Sequence, residues 1–239
     1  MFAHLSPAIL TLSSEKVTAI SENPQGRIIF DVCISAIVGV QVAEESKRTS
    51  ILHIYAYGWT ERHSQDCLHG SMLRNRVHHA IEFITSGTEQ AAGVAREWAT
   101  KINDRIYPGG KPRKFLVFVN PISGSGQAVR IWEREVHQML KDAQAEYKCV
   151  ITERSNHARD YMKASEDVLS YDAVLSIGGD GLYYEVCEQI RNPTLTLTLN
   201  LTTPNLLKCN FWIYNSLSVS LIIFILYVPP YKSFDLMNL

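Results

Sequence analysis

The sequence predicts an α/β lobe built on a parallel sheet with flanking helices, preceded by a β-rich module that ends in a helix. Three observations lead there. Beyond residue 113, short apolar runs alternate with helical patterns, the sign of a parallel sheet with crossover helices. Two of those runs, 115–119 and 173–177, open into glycine-bearing turns, Asn120-Pro-Ile-Ser-Gly-Ser-Gly126 and Gly178-Gly-Asp-Gly181. Before residue 107 the pattern differs, with β-branched and aromatic runs between polar or Gly/Pro breaks and then one amphipathic stretch.

Strands are expected at 8–12, 16–20, 27–30, 34–42, 51–57 and 79–85, with the polar stretch 63–76 a long inter-strand loop. From Thr88 the period changes. Val94, Trp98 and Ile102 recur four apart with charges between them, which makes one buried helix face over 88–105. Several strands closed by a tryptophan-bearing helix resemble a pleckstrin-homology-like module over 8–106. Tyr107-Pro-Gly-Gly-Lys-Pro112 is a cluster of breakers and the expected linker. The lobe then runs over 113–191. Strand 115–119 leads to a helix with Trp132, Val136 and Leu140 on one face. Strand 147–152 leads to a helix around 159–169, and strand 173–177 to a helix from about Leu182. In sheets of this kind ligands sit beyond the carboxyl ends of the strands, where the loops that carry the chemistry fall.

Composition narrows the function classes. A net charge of −1 and the lack of a basic stripe give no case for a nucleic-acid partner. Five cysteines, Cys33, Cys67, Cys149, Cys187 and Cys209, are scattered singly, which favours free thiols in a reducing compartment. The histidines at 63, 69, 78 and 79 have no spacing that puts a pair on one helix face with a carboxylate, so no protein-held metal is expected. The first residues lack a basic segment followed by an apolar core, so no signal peptide is expected and the location is cytoplasmic. After Arg191 the character changes. Residues 192–201 alternate Thr and Leu, and 211–228 are free of charge and mostly apolar before Pro229 and Pro230. Residues 192–239 are expected to be an atypical hydrophobic tail with few contacts to the sheet. Anchoring in a membrane through 211–228 is the lesser expectation.

Glycines at strand-to-helix turns let the backbone approach a ligand, and the following helix offers N–H groups to an anion. No Gly-Lys-Ser/Thr follows the first turn, so this is not the common P-loop. Three stretches carry a resemblance: Phe115-Leu-Val-Phe-Val-Asn-Pro-Ile-Ser-Gly-Ser-Gly126, Thr152-Glu-Arg-Ser-Asn-His-Ala-Arg159 and Tyr171-Asp-Ala-Val-Leu-Ser-Ile-Gly-Gly-Asp-Gly-Leu-Tyr-Tyr-Glu-Val186. Together they resemble the diacylglycerol-kinase-type catalytic domain, and within it the sphingosine kinases. The Gly-Gly-Asp-Gly turn alone is shared with NAD kinases and phosphofructokinases. The middle stretch, at this distance from the other two, points to the sphingoid-base branch, with ceramide kinases the nearest competitor. The resemblance spans Lys111 to about Ile190.

The resemblance implies a lipid kinase that passes the γ-phosphoryl group of ATP, with Mg2+, to the primary hydroxyl of a sphingoid base, working at a membrane surface as a peripheral protein. It implies Asp180 as the catalytic carboxylate that accepts the hydroxyl proton, although an aspartate here also serves as a plain helix cap. Gly178, Gly179, Asp180 and Gly181 would meet the lipid head group. Asn120, Pro121, Ile122, Ser123, Gly124 and Gly126 would form the phosphate loop, and this chain has Ser125 where such kinases usually carry lysine. Thr152, Glu153, Arg154, Ser155 and Asn156 would border the adenosine side, joined by Glu185 from the helix after Asp180. A further glycine-rich loop and a β-rich lipid lobe are also implied, and neither is read after Arg191. The chain is therefore expected to be truncated after the nucleotide-binding lobe. Rival readings are a ceramide kinase and a non-catalytic binding or membrane-associated isoform.

Overall fold

The computed structural model describes residues 7–61, 72–85, 90–107, 114–122, 126–190, 209–216 and 219–227. These fall into two compact units that divide between residues 111 and 112.

In the first unit, β1 (Ala8–Leu12), β2 (Lys16–Ser21) and β3 (Ile28–Cys33) form one antiparallel sheet. A second antiparallel sheet holds β4 (Ile37–Glu44), β5 (Thr49–Glu61) and β6 (Met72–Ile84). Helix α1 (Ala91–Ile106) packs on the second sheet. Val17, Ala19 and Val32 from the first sheet and Val38, Val40, Leu52 and Ile54 from the second make the core, and Phe30 stacks on His79 with ring centroids 4.4 Å apart.

Three expectations for this unit are corrected. The single strand over 34–42 is broken by a 3-10 turn, Ile34–Ala36, with a bulge just after it. The chain changes sheets there, and such corners need a bend. The loop over 63–76 ends sooner: residues 62–71 lie outside the described residues, and 72–76 already belong to β6. Arg76 is exposed yet lies 5.0 Å over the Tyr55 ring of β5, so cross-strand pairing outweighs the polarity that suggested a loop. The α1 face is also rotated. Ala91, Ala95, Ala99, Ile102 and Ile106 are buried, whereas Val94 and Trp98 sit at its border. Alanines let the helix approach the sheet closely, and Trp98 is left partly in water with Lys101 5.9 Å from its ring.

The second unit is α/β, with a five-stranded sheet ordered β10-β11-β9-β7-β8. Here β7 is Lys114–Val119, β8 Glu146–Ile151, β9 Ala173–Gly178, β10 Cys209–Ser216 and β11 Val219–Tyr227. Strand β7 runs parallel to both β8 and β9. Both faces of β7 and β9 are buried, which is why the two strands read as continuous apolar runs. On one face α4 (His157–Ala164) and α5 (Asp180–Ile190) bury Ala158, Met162, Leu182 and Val186 against Leu116, Phe118 and Val174. The other helical segment is α2 (Ala128–Ile131), a π turn (Trp132–Val136) and α3 (His137–Asp142) in succession. Trp132 stacks on His137 and meets the Tyr147 ring of β8 edge-on at 5.6 Å. The helix expected over 159–169 is α4 plus a separate 3-10 turn, Glu166–Ser170, because Ser165 between them is extended. Helix α5 starts at Asp180, two residues earlier than expected.

The sheet is mixed, not wholly parallel, and the expectation of few contacts between tail and sheet is corrected. Strand β11 pairs antiparallel with β9 from Ala173↔Tyr227 to Gly178↔Ile222, and β10 pairs with β11. An uncharged β-branched stretch supplies ladder partners for backbone groups that would otherwise form a bare edge. Strands, not a helix, occupy most of 211–228. Among the described residues no helix is long and apolar enough to cross a membrane. Residues 191–208, with the Thr/Leu alternation, lie outside the described residues.

The rotated α1 face makes a prediction. Ile102→Ala should lower unfolding free energy in urea by about 2–5 kcal/mol, the range for emptying a buried isoleucine site. Trp98→Ala should cost about 1 kcal/mol, as for a half-exposed ring with one cation near its face. A larger loss at Trp98 than at Ile102 would mean that the helix packs in the other phase.

Candidate functional site

Three loops leave the carboxyl ends of β8, β7 and β9, and backbone hydrogen bonds tie them together. After β7, the Asn120 N–H donates to the Ile177 carbonyl of β9 at 2.9 Å. The Asn120 side-chain oxygen accepts from the Ile122 N–H at 3.0 Å, the self-contained turn typical of asparagine. Pro121 is half-buried and Ile122 fully at the surface. Ser123, Gly124 and Ser125 lie outside the described residues. Gly126 has φ +71°, a left-handed conformation that glycine adopts without strain.

After β8, the Thr152 N–H donates to the Val119 carbonyl at 2.8 Å, and its buried hydroxyl approaches the same oxygen at 3.4 Å. Thr152 therefore closes the β7–β8 pair. Glu153, Arg154 and Ser155 are exposed. The Glu153 N–H donates to His157 Nδ1 at 3.0 Å, and Arg154 pairs with Asp160 at 2.7 Å. Asn156 is left-handed at φ 61°, and its N–H donates to Glu185 Oε1 at 2.8 Å.

After β9, Gly178 is buried and Gly179 partly so. A Cβ on Gly178 would stand 3.0 Å from Leu182 Cδ2 and 3.1 Å from Asn120 Cβ. This glycine lets the first loop and α5 close on each other. Asp180 opens α5 in an exposed position, and its Oδ1 accepts the Gly181 N–H at 2.8 Å. Gly181 faces open space.

The described residues expected at the site thus gather at one end of the sheet, with two distinctions. The Thr152 hydroxyl and the Asn156 N–H are engaged inside the protein, whereas Asp180, Glu153 and Ser155 face outward. His157, adjacent to Asn156, holds the second loop by accepting the Glu153 N–H at Nδ1. Among the described residues no group of three or more His, Cys, Asp or Glu could hold a metal. An outward carboxylate such as Asp180 does suit Mg2+ that arrives chelated by phosphates, since that ion is commonly held by one or two carboxylates plus substrate oxygens.

Residues 114–203 match the diacylglycerol kinase catalytic domain. The chain is 45% identical over 84 residues to a sphingoid long chain base kinase of Schizosaccharomyces pombe, covering 35% of this chain and 18% of that one. It is 35% identical over 89 residues to a sphingosine kinase of Arabidopsis thaliana, covering 37% and 18%. A ceramide kinase of Arabidopsis thaliana is 34% identical over 96 residues, covering 39% and 16%. The chain is sphingosine-kinase-like over this stretch, as its three motifs indicated. The match spans less than a fifth of the length of these curated relatives.

The two glycines at the turn should behave oppositely. Gly178→Ala should destabilise the second unit by about 1–3 kcal/mol through overpacking against Leu182 and Asn120. Gly181→Ala, in open space within α5, should be neutral or stabilising by up to about 1 kcal/mol. Thermal unfolding of both variants checks this, and equal effects would refute the close approach at Gly178.

Proposed function

We propose that this chain carries the nucleotide-binding part of a lipid kinase that moves the γ-phosphoryl group of ATP to the primary hydroxyl of a sphingoid base. The observation that carries the reading is the position of Asp180. It is an exposed carboxylate at the first residue of α5, where the loops from three adjacent parallel strands meet. Phosphoryl transfer asks a protein chiefly for positioning, charge neutralisation and a group that takes the hydroxyl proton. Asp180 is assigned that last role.

The first loop, with Asn120, Pro121, Ile122, Ser123, Gly124 and Gly126, is assigned to the phosphates through backbone N–H groups. The second loop, Thr152, Glu153, Arg154, Ser155 and Asn156, is assigned to the adenosine side, with Glu185 behind it accepting the Asn156 N–H. Gly178, Gly179 and Gly181 border the place where the lipid hydroxyl would approach Asp180. Mg2+ brought by the nucleotide would neutralise phosphate charge, and Asp180 is the described carboxylate that would help hold it. Ceramide is the second substrate reading, supported by the relatives of that name at comparable identity. The β-rich first unit, two antiparallel sheets and a C-terminal helix among its described residues, supports the pleckstrin-homology-like reading and a place at the membrane surface where such lipids reside.

Transfer of label from γ-labelled ATP to sphingosine or ceramide in mixed micelles tests the reading. Asp180→Asn should leave nucleotide affinity nearly intact and lower turnover by at least about 100-fold, the usual cost of losing a general base. Undiminished turnover in that variant would remove Asp180 from the chemistry.

A further inference from the structure

The carboxylate of Glu185 is directed into the protein. Its Oε1 accepts the Asn156 N–H at 2.8 Å. Its Oε2 is buried and has no hydrogen-bond partner among the described residues. One oxygen is therefore engaged by backbone and the other is shut away from solvent, a poor arrangement for touching a ligand. Asn156 sits in the left-handed region at φ 61°, which asparagine tolerates better than other residues with a Cβ. The Asn156 carbonyl in turn accepts the Asp160 N–H at 2.9 Å and so starts α4. One turn further along α5, Glu188 pairs with Arg159 of α4 at 3.1 Å. The seam between α4 and α5 is thus polar at the end nearest the loops, and Glu185 is its innermost member.

Resting on the nucleotide reading above, we propose that Glu185 is a positioning residue. It fixes the left-handed turn at Asn156, and through it the 152–156 loop, against the helix that begins with Asp180. The second loop and the catalytic carboxylate are thereby held in one register. A hydrogen bond from backbone to a carboxylate is stronger than one between neutral groups, which suits a contact that fixes a turn in place.

Two substitutions on the full chain separate this role from direct contact. Glu185→Gln keeps an acceptor oxygen at the same reach, and Glu185→Asp keeps the charge but shortens the reach by one carbon. Amide exchange at Asn156 and the affinity for Mg-ATP are measured for each. Glu185→Asp is expected to speed Asn156 exchange and to weaken nucleotide by about ten-fold, the effect of losing a charge-assisted bond, while Glu185→Gln stays within about three-fold of the parent in both. Unchanged Asn156 exchange in Glu185→Asp would overturn the proposal. So would a loss of affinity in Glu185→Gln with Asn156 still protected, because the charge would then act on the nucleotide itself. If the parent chain binds no nucleotide, the kinase reading fails, and the exchange measurement still decides whether the clamp exists.

Discussion

Strand β7 lies between two parallel neighbours with both faces buried, so its backbone groups can be satisfied only by the ladder and by whatever follows at its end. That constraint organises the lobe. When the ladder runs out at Val119, its carbonyl takes the Thr152 N–H of the next loop, and Asn120 gives its N–H to Ile177 on the other side. The first residues of the loops are thus bonded to neighbouring strands before they can wander. The Asn156–Glu185 bond adds a third tie, from the second loop to the helix after β9. A ligand site at this end comes from finishing the sheet's own hydrogen bonding, with outward polar residues left over.

Much of this was legible in the sequence because it is local. The strands around 117 and 175 announce themselves as unbroken apolar runs, and the glycine turns name their own places. What the sequence hid depends on partners far along the chain. Trp98 looks like the natural anchor of α1 by size, yet alanines let the helix pack closest, and only the facing sheet decides that. Residues 72–76 look like loop until Tyr55 of β5 is set beneath Arg76. The pairing of β11 with β9 follows from an edge that needs a strand, and composition alone made that stretch seem foreign. Glu185 showed its position one turn into a helix, not that its carboxylate turns inward to Asn156.

The outward residues set a further requirement. Asp180 is exposed at the mouth of the loops, and electrostatic stabilisation of a transferring phosphoryl group is strongest where water is excluded. Arg154, the cation of the second loop, is already matched by Asp160. In the proposed reaction, backbone N–H groups of the described loops would share charge neutralisation with the metal that comes with the nucleotide. The wall that dries the reacting atoms must be supplied by groups other than the described loops, and the lipid itself is one candidate for that covering.

The π turn at Trp132–Val136 has a consequence of another kind. It lies between two α segments and adds a wider turn at the point where Trp132 and His137 meet Tyr147. Each residue of an α-helix turns the chain by about 100°. A π turn holds one residue more than an α turn, so removing one residue from 133–135 would regularise the helix and leave Leu140 in its buried phase. Exchanges among its exposed residues, Glu133, Arg134 and Glu135, also leave the helical phase intact, whereas a deletion within the regular turns of α2 or α3 would rotate every side chain beyond it by that angle.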